Sequence, residues 1–90
     1  MLVDSEENLN KYGFVLASKY RKNIVLVLES KPKTPKEISI EINCDLTHVS
    51  RALKELTNNR ITRCATPERV KGRIYQLTNS GKEILKLLKK

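Results

Sequence analysis

Polar and apolar residues between positions 45 and 58 recur on the period of an α-helix. The apolar positions of this stretch are Leu46, Val49, Ala52, Leu53 and Leu56. With successive residues about 100° apart, these positions fall within an arc of about 120°, and polar residues cluster on the opposite side. Asn58 and Asn59 then stop the pattern. The pattern predicts a helix that shows one face to the core and the other outward.

A helix is also predicted upstream, over SKYRKNIVLVLES from position 18 to position 30. Its inward face would carry Tyr20, Ile24, Val27 and Leu28. Arg21 and Lys22 are expected on the outside. The run IVLVL by itself would suit a buried strand, but the periodic stretch is long enough to favour a helix. Pro32 is expected to end this helix, because the residue before a proline avoids helical geometry.

The sequence TPKE at positions 34–37 carries the signals of a helix start. Thr34 can cap the helix, Pro35 suits its first position, and Glu37 can complete a capping box. The following EISIEIN alternates isoleucines as a strand does, yet three start signals at fixed offsets favour a helix. Asn43 suits a left-handed exit, and Asp45 can cap the helix that begins there. Together these features predict a tight helix-turn-helix.

Two short strands and a closing helix are predicted after position 60. ITRCA and RIYQLT are rich in β-branched and aromatic residues, and TPERVKG between them contains Pro67 and Gly72 as turn residues. This pattern predicts a β-hairpin with a basic tip. Thr78 can cap the helix NSGKEILKLLKK, which would turn its Ile84, Leu85 and Leu88 inward.

The first seventeen residues are predicted to be an N-terminal extension of a domain that occupies residues 18–90. Residues 1–10 are polar and acidic, which favours a frayed, disordered terminus. The alternative is a helix, indicated by the spacing of Leu9, Tyr12, Val15 and Leu16.

Charge narrows the choice of partner. The 90 residues include 18 Lys and Arg against 10 Asp and Glu, a net charge of +8. Such an excess on a single small domain indicates a polyanionic partner, either nucleic acid or acidic lipid. Lipid is disfavoured because no helix pairs a long basic face with exposed apolar anchors. Without a leader or an apolar span of about 18 residues, a cytoplasmic protein is expected.

Few residues offer other chemistry. The cysteines are Cys44 and Cys64, and the single histidine is His48. A zinc site needs four ligands at tight spacings, so both thiols are expected to be buried side chains without a metal or redox role. No phosphate-binding glycine loop and no paired histidines are present, and the protein is predicted not to be an enzyme and to have no cofactor.

Four stretches, in this order, resemble the winged helix-turn-helix transcription regulators of bacteria and archaea, the MarR-like and ArsR-like proteins among them. They are TPKEIS, LTHVSRALKEL, NNRITR and GRIYQLTNSGKEIL. The resemblance covers about residues 18–88. It implies a mostly α, α+β fold with a three-helix core, a two-stranded β wing and a C-terminal helix. The family often has glycine where this chain has Asn43 and Asn59, and both asparagines tolerate left-handed geometry.

The resemblance also implies sequence-specific binding of double-stranded DNA, with helix 45–58 in the major groove. Arg51 is the first candidate for a base contact, because Arg suits the paired acceptors of guanine. Thr47 and Ser50 could donate to bases or phosphates, and Lys54 to phosphate. His48 is a weaker candidate, since a surface histidine without a role is the simpler interpretation. Pattern alone would leave the whole face as an ordinary solvated surface.

Further contacts are expected from the wing, residues 61–77, on the flanking backbone or minor groove. The candidates in the wing are Arg63, Arg69, Lys71 and Arg73. Arg in particular is favoured by the negative potential of a narrow minor groove. Thr34 and Lys36 form a secondary candidate, since free N–H groups at the start of a helix bind phosphate.

A homodimer is expected, because one recognition helix reads too few base pairs for useful specificity. We expect the dimer interface on the segment from Leu9 to Leu16 and on the last helix. Two alternatives remain open at this stage. One is a protein-interaction module within transcription or replication machinery, and the other is an RNA-binding domain, which the scarcity of aromatic residues disfavours. Which effector ligand the protein binds, if any, stays open.

Overall fold

The computed structural model describes residues 2–90, with side chains from Glu6 onward. Over these residues the chain forms five α-helices and one two-stranded antiparallel sheet. The elements are α1 Leu2–Leu16, α2 Lys19–Val27, α3 Pro35–Glu41, α4 Leu46–Asn58, β1 Thr62–Cys64, β2 Tyr75–Leu77 and α5 Asn79–Leu88. This confirms the predicted α+β, mostly helical class.

The core is aliphatic and lies where the five helices and the sheet meet. Its largest fully buried apolar side chains are Ile24, Ile38, Leu53, Leu56, Ile61 and Ile84. Val15 of α1 is also fully buried and belongs to the same cluster. The N-terminal segment forms the helix α1, and its residue Val15 belongs to the same core as the rest of the domain.

The capping box that opens α3 is formed as predicted. The Thr34 hydroxyl accepts from the Glu37 N–H at 3.1 Å, and the Glu37 carboxylate accepts from the Thr34 N–H at 2.8 Å. At the other end Asn43 is left-handed, with φ 54°. The Cys44 N–H donates to the Ser39 carbonyl and the Asn43 N–H to the Ile40 carbonyl, which is the Schellman arrangement.

Two expectations for the start of α4 are wrong. Asp45 occupies the N-cap position, but its side chain makes no capping hydrogen bond. Leu46 was expected in the core and is 49% exposed, because it lies at the edge of the apolar arc. Val49, Ala52, Leu53 and Leu56 are buried as predicted.

After α4, the left-handed residue lies one position beyond the predicted one. Asn59 has φ −95°, and the left-handed residue is Arg60, with φ 61°. The Ile61 N–H donates to the Leu56 carbonyl and the Arg60 N–H to the Thr57 carbonyl, a second Schellman arrangement. Ile61 is fully buried. Bringing Ile61 into the core places the turn on Arg60, although Asn would adopt it at lower cost.

The hairpin pairs Thr62 with Leu77 and Cys64 with Tyr75. A third segment, not predicted, lies beside β2: Lys33 and Tyr75 exchange two backbone hydrogen bonds of 3.0 and 2.8 Å. The Lys33 side chain is buried, and its ammonium contacts Ser30 Oγ at 2.9 Å and the Glu41 carboxylate at 3.3 Å. Lys33 thus joins the ends of α2 and α3 to the hairpin.

The closing helix α5 follows the prediction. The Thr78 hydroxyl caps it by accepting from the Gly81 N–H at 3.1 Å, and Ile84 and Leu85 are buried. Gly81 packs so closely on β1 that an added Cβ would lie 2.2 Å from the Ile61 carbonyl oxygen. None of the helices described here is long and apolar enough to span a bilayer.

Candidate nucleic-acid interface

The outward face of α4 carries exposed polar side chains, as the sequence predicts. Those proposed to contact DNA are Thr47, Ser50, Arg51 and Lys54, and all four are exposed. Within the part of the chain whose side chains are described, none of the four makes a side-chain hydrogen bond or an ion pair. The buried face of α4 lies opposite, so this set points away from the core.

His48 lies at the edge of this face, where α4 meets α2. Its ring stacks on Tyr20, with centroids 4.9 Å apart and an angle of 4° between the planes. Two turns further along the same flank, the Glu55 carboxylate pairs with Arg21 at 3.1 Å. Tyr20 and Arg21 therefore hold this flank of α4 against the first turn of α2, and His48 takes part in that packing although it is exposed.

Arg21 was expected on the outside and is instead largely buried. Its guanidinium donates twice to the Phe14 carbonyl, at 2.8 and 2.6 Å, and lies 3.9 Å from the centroid of the Phe14 ring. With its bond to Glu55, the same group joins the end of α1, the start of α2 and the middle of α4. Helical periodicity places position 21 outward from α2, but it cannot show that α1 and α4 cover that side.

The wing is braced at its base and basic at its tip. The Ala65 N–H donates to the Ile74 carbonyl at 2.7 Å, and the Ile74 N–H donates to the Thr66 hydroxyl at 3.0 Å. Between these residues the tip carries Arg69, Lys71 and Arg73, all of them exposed. The most exposed large apolar side chain among the residues described, Val70 at 88%, also lies here. Val70 is not among the residues predicted from the sequence, although a lone apolar residue inside a basic loop is a visible signal.

Arg63 is exposed on β1 and faces Gln76, its partner across the hairpin. With the Gln76 amide oxygen turned toward it, the Arg63 guanidinium donates two hydrogen bonds, of 2.8 and 3.0 Å. This pairing holds the guanidinium against Gln76. Arg63 is consequently less free to reach a ligand than Lys71, which makes no side-chain hydrogen bond among the described residues.

The start of α3 offers less to a phosphate than its sequence suggests. The hydroxyl of Thr34 and the amides of Thr34 and Glu37 are all used within the capping box. The hydrogen bond from the Thr34 backbone N–H lowers the pKa of Glu37 below its ordinary value of 4.5. The box therefore keeps a negative charge at this terminus, while Lys36 is exposed beside it.

Both cysteines are free and half-buried. Cys44 packs against the core from the turn between α3 and α4. No group of three or more His, Cys, Asp or Glu side chains capable of holding a metal ion occurs in the described part of the chain.

No protein-family model and no curated protein matches this chain. Among solved structures it is similar to the transcriptional regulator SlyA, with a TM-score of 0.71 and 20% identity over 97% of this chain and 62% of that one. It is also similar to a MarR family transcription regulator, with a TM-score of 0.64 and 21% identity over 74% of this chain and 48% of that one. The chain has a MarR-like winged-helix fold. It spans about half to three-fifths of the length of these two regulators.

The similarity to these two structures confirms, for the fold, the resemblance found in the sequence. In this fold α3 and α4 form the helix-turn-helix, α4 is its second helix, and β1 and β2 with their connecting loop form the wing. The exposed face of α4 and the basic wing tip are hence the two parts of the candidate interface. Lys36 is a third, smaller part.

Proposed function

We propose that this winged-helix chain is a transcription regulator that binds double-stranded DNA sequence-specifically. The observation that carries the proposal is the outward face of α4, where an arginine, a lysine and two hydroxyl groups are exposed and unpaired among the described side chains. An α-helix with its side chains is about 10 to 12 Å across, and it therefore fits the B-DNA major groove, which is about 12 Å wide. Polar residues on an ordinary surface helix can also serve only to keep a protein soluble. The position of this helix as the second helix of a helix-turn-helix favours DNA binding instead.

Each side chain of this face has a role that its chemistry suits. Arg51 donates two hydrogen bonds to O6 and N7 of a guanine, the commonest specific contact in the major groove. Thr47 and Ser50 donate to a base edge or a phosphate. Lys54 contacts phosphate and fixes register without reading sequence. His48, stacked on Tyr20, supports the helix from the side.

The wing lies on the flanking DNA. Arg69, Lys71 and Arg73 neutralise phosphates or enter the minor groove, and Arg63 and Lys36 add to the positive surface. We further propose that the protein works as a homodimer on chromosomal DNA in the cytoplasm of a bacterium or archaeon. The capped start of α3, with Thr34, makes at most a secondary contact.

A protein-interaction module is the second candidate, and one feature favours it. Ile40 of α3 is 69% exposed and Leu46 of α4 is 49% exposed, so apolar surface is open near the helix-turn-helix. Two separate apolar side chains are common on the surfaces of soluble proteins, and they are much smaller than a typical interface patch. DNA binding explains why this surface is positively charged. A protein-interaction module gives that charge no role.

Selection of bound fragments from random duplex DNA, repeated at two salt concentrations, tests the proposal. We expect a recovered consensus that contains a guanine dependent on Arg51, and affinity that falls steeply with salt. Bound fragments that share no consensus would show that the protein binds DNA without sequence specificity. Absence of duplex binding at low salt would reject the proposal and favour the interaction module.

The wing contact has its own test. Arg69→Ala should weaken binding to all duplexes alike and lower the slope of log affinity against log salt by about one unit. Glu68→Gln, which removes a negative charge from the neighbouring position, is the matched control and should not lower affinity. A salt slope equal to that of the unaltered protein would remove Arg69 from the contact surface.

A further inference from the structure

Val70 is the most conspicuous feature of the wing that DNA binding through charge does not explain. Its side chain is 88% exposed, more than any other large apolar side chain among the described residues, and it stands between Arg69 and Lys71. Single apolar residues are common on protein surfaces, but this one lies between two cations at the tip of the basic loop.

The hydrogen bonds of the loop direct Val70 outward. The Arg69 N–H donates to the Thr66 carbonyl at 3.1 Å and forms a turn before the tip. After the tip, Gly72 is left-handed with φ 66°, and the Arg73 guanidinium donates to the Arg69 carbonyl. Arg69 itself reaches back toward the Gly72 carbonyl at 3.5 Å. Both arginines thus brace the loop, and Val70 has no such partner within the protein.

The minor groove offers surroundings that suit an apolar side chain between cations. Its walls are deoxyribose rings, its floor in A·T pairs has no protruding group, and G·C pairs add the guanine N2 amino group to that floor. A-tracts narrow the groove and increase the negative potential that attracts flanking cations. Architectural proteins also bring apolar side chains to this groove, where they wedge between base steps and kink the duplex.

We propose that Val70 enters the minor groove next to the site read by α4 and packs on its sugar walls. Val70 thereby gives the wing a preference for pairs that lack the guanine amino group. This proposal rests on the proposed DNA binding. It adds a reading contact made by shape, with no hydrogen bond, to a wing that would otherwise contribute charge alone.

The test compares two duplex polymers, poly(dG·dC) and poly(dI·dC). Inosine lacks the N2 amino group of guanine and presents the same major-groove edge, so contacts from α4 are matched between the two. We expect the protein to bind the inosine polymer at least about threefold more tightly, as one clash with a base group is removed.

The substitutions Val70→Thr and Val70→Leu separate shape from charge. Threonine has nearly the shape of valine but a polar hydroxyl, and we expect the ratio of the two affinities to fall toward one. Leucine keeps an apolar side chain and should keep the ratio above one. Because Val70 is exposed, all three proteins should unfold at the same temperature, which a thermal melt verifies.

The outcomes distinguish this proposal from the one on which it rests. Equal, salt-dependent binding of both polymers by the unaltered protein would overturn the role of Val70 and leave DNA binding intact. A preference for inosine that survives in Val70→Thr would also overturn it, and would assign the preference to the wing arginines. Failure to bind either polymer at low salt would overturn both proposals.

Discussion

At the scale of single residues, Arg51 is the most informative position. It is exposed at the centre of the outward face of α4, with no partner among the described side chains. If it pairs with one guanine, Arg51→Ala should cost about 1 to 3 kcal/mol on the selected site and relax base preference at a single position. Titration of that duplex and of its single-base variants measures both effects.

Lys54→Ala is the matched control on the same helix face. Because lysine at a phosphate reads no sequence, this change should weaken every duplex by a similar factor. An Arg51→Ala protein that behaves in the same way, with equal losses on all base variants, would place Arg51 on the backbone and leave the proposed base contact without support.

The two glycines in helices should respond oppositely to alanine. A Cβ at Gly81 would meet the Ile61 carbonyl at 2.2 Å and Leu77 at about 3 Å, so Gly81→Ala should destabilise the fold by about 1 to 3 kcal/mol. Gly13 has open space around it, and Gly13→Ala should stabilise α1 by about 0.5 to 1 kcal/mol. Urea unfolding of both variants gives the two free energies; a loss for Gly13→Ala would show that α1 packs differently.

At the scale of elements, local sequence predicted the capped starts of α3 and α5, whereas the Asp45 side chain does not cap α4. The capping box at Thr34 and Glu37 depends on side chains three residues apart, so its signal is complete within the motif. The exits were harder to predict. Asn43 takes the left-handed position as expected, but after α4 that position falls to Arg60. What decides it is the burial of Ile61, which is a property of the whole core.

Contacts between distant elements could not be predicted from the sequence in the same way. Lys33 pairs with Tyr75 across 42 residues, and its buried ammonium is satisfied by Ser30 and Glu41. Periodicity describes one element at a time. The outward face of α4 could be predicted because all its residues belong to one helix, whereas the positions of Arg21 and Lys33 depend on which elements pack beside them.

The capping box of α3 should make stability depend on pH in the acid range. The Thr34 N–H lowers the pKa of Glu37 in the folded state below 4.5, so the unfolded state binds the proton more tightly. The contribution is therefore fully present above about pH 5 and is lost as pH falls through the folded pKa. Glu37→Gln should flatten this part of the curve of unfolding free energy against pH.

Glu68→Gln removes the same charge from the exposed wing and serves as the control for the capping box. It should leave the slope of the acid limb unchanged, since Glu68 lies at no helix terminus. A Glu37→Gln protein with the full acid slope would show that the hydrogen bond from Thr34 contributes little in solution.

At the scale of the whole molecule, the longest extent of 39 Å is close to one turn of B-DNA, about 34 Å. In the proposed dimer, two copies of this size would place their α4 helices in successive major grooves on one side of a duplex. Arg21 matters at this scale, because it ties α1 to α4 through Phe14 and Glu55. A partner that binds α1 would in this way hold α4 at a fixed angle.

The proposed dimer makes a prediction about α1. Leu9 is 59% exposed and Leu16 is 45% exposed, and their spacing of seven residues places them on one side of the helix. Beside Leu9 a groove of about 340 Å³ runs to Leu87 of α5. If this surface is the interface, the double change Leu9→Glu and Leu16→Glu should convert the protein to a monomer in gel filtration with light scattering, because charges would then be buried unpaired.

Loss of the dimer should also change DNA binding in a defined way. The double variant should bind a duplex with two half-sites no more tightly than a duplex with one half-site. In a monomer the second copy of α4 is no longer linked to the first, so it gains no effective concentration at the second half-site. Asn10→Glu, an exposed position next to Leu9 on another side of α1, is the control and should remain dimeric. A monomer for the unaltered protein, with and without DNA, would contradict the dimer while leaving the contacts of α4 and the wing to be judged by their own variants.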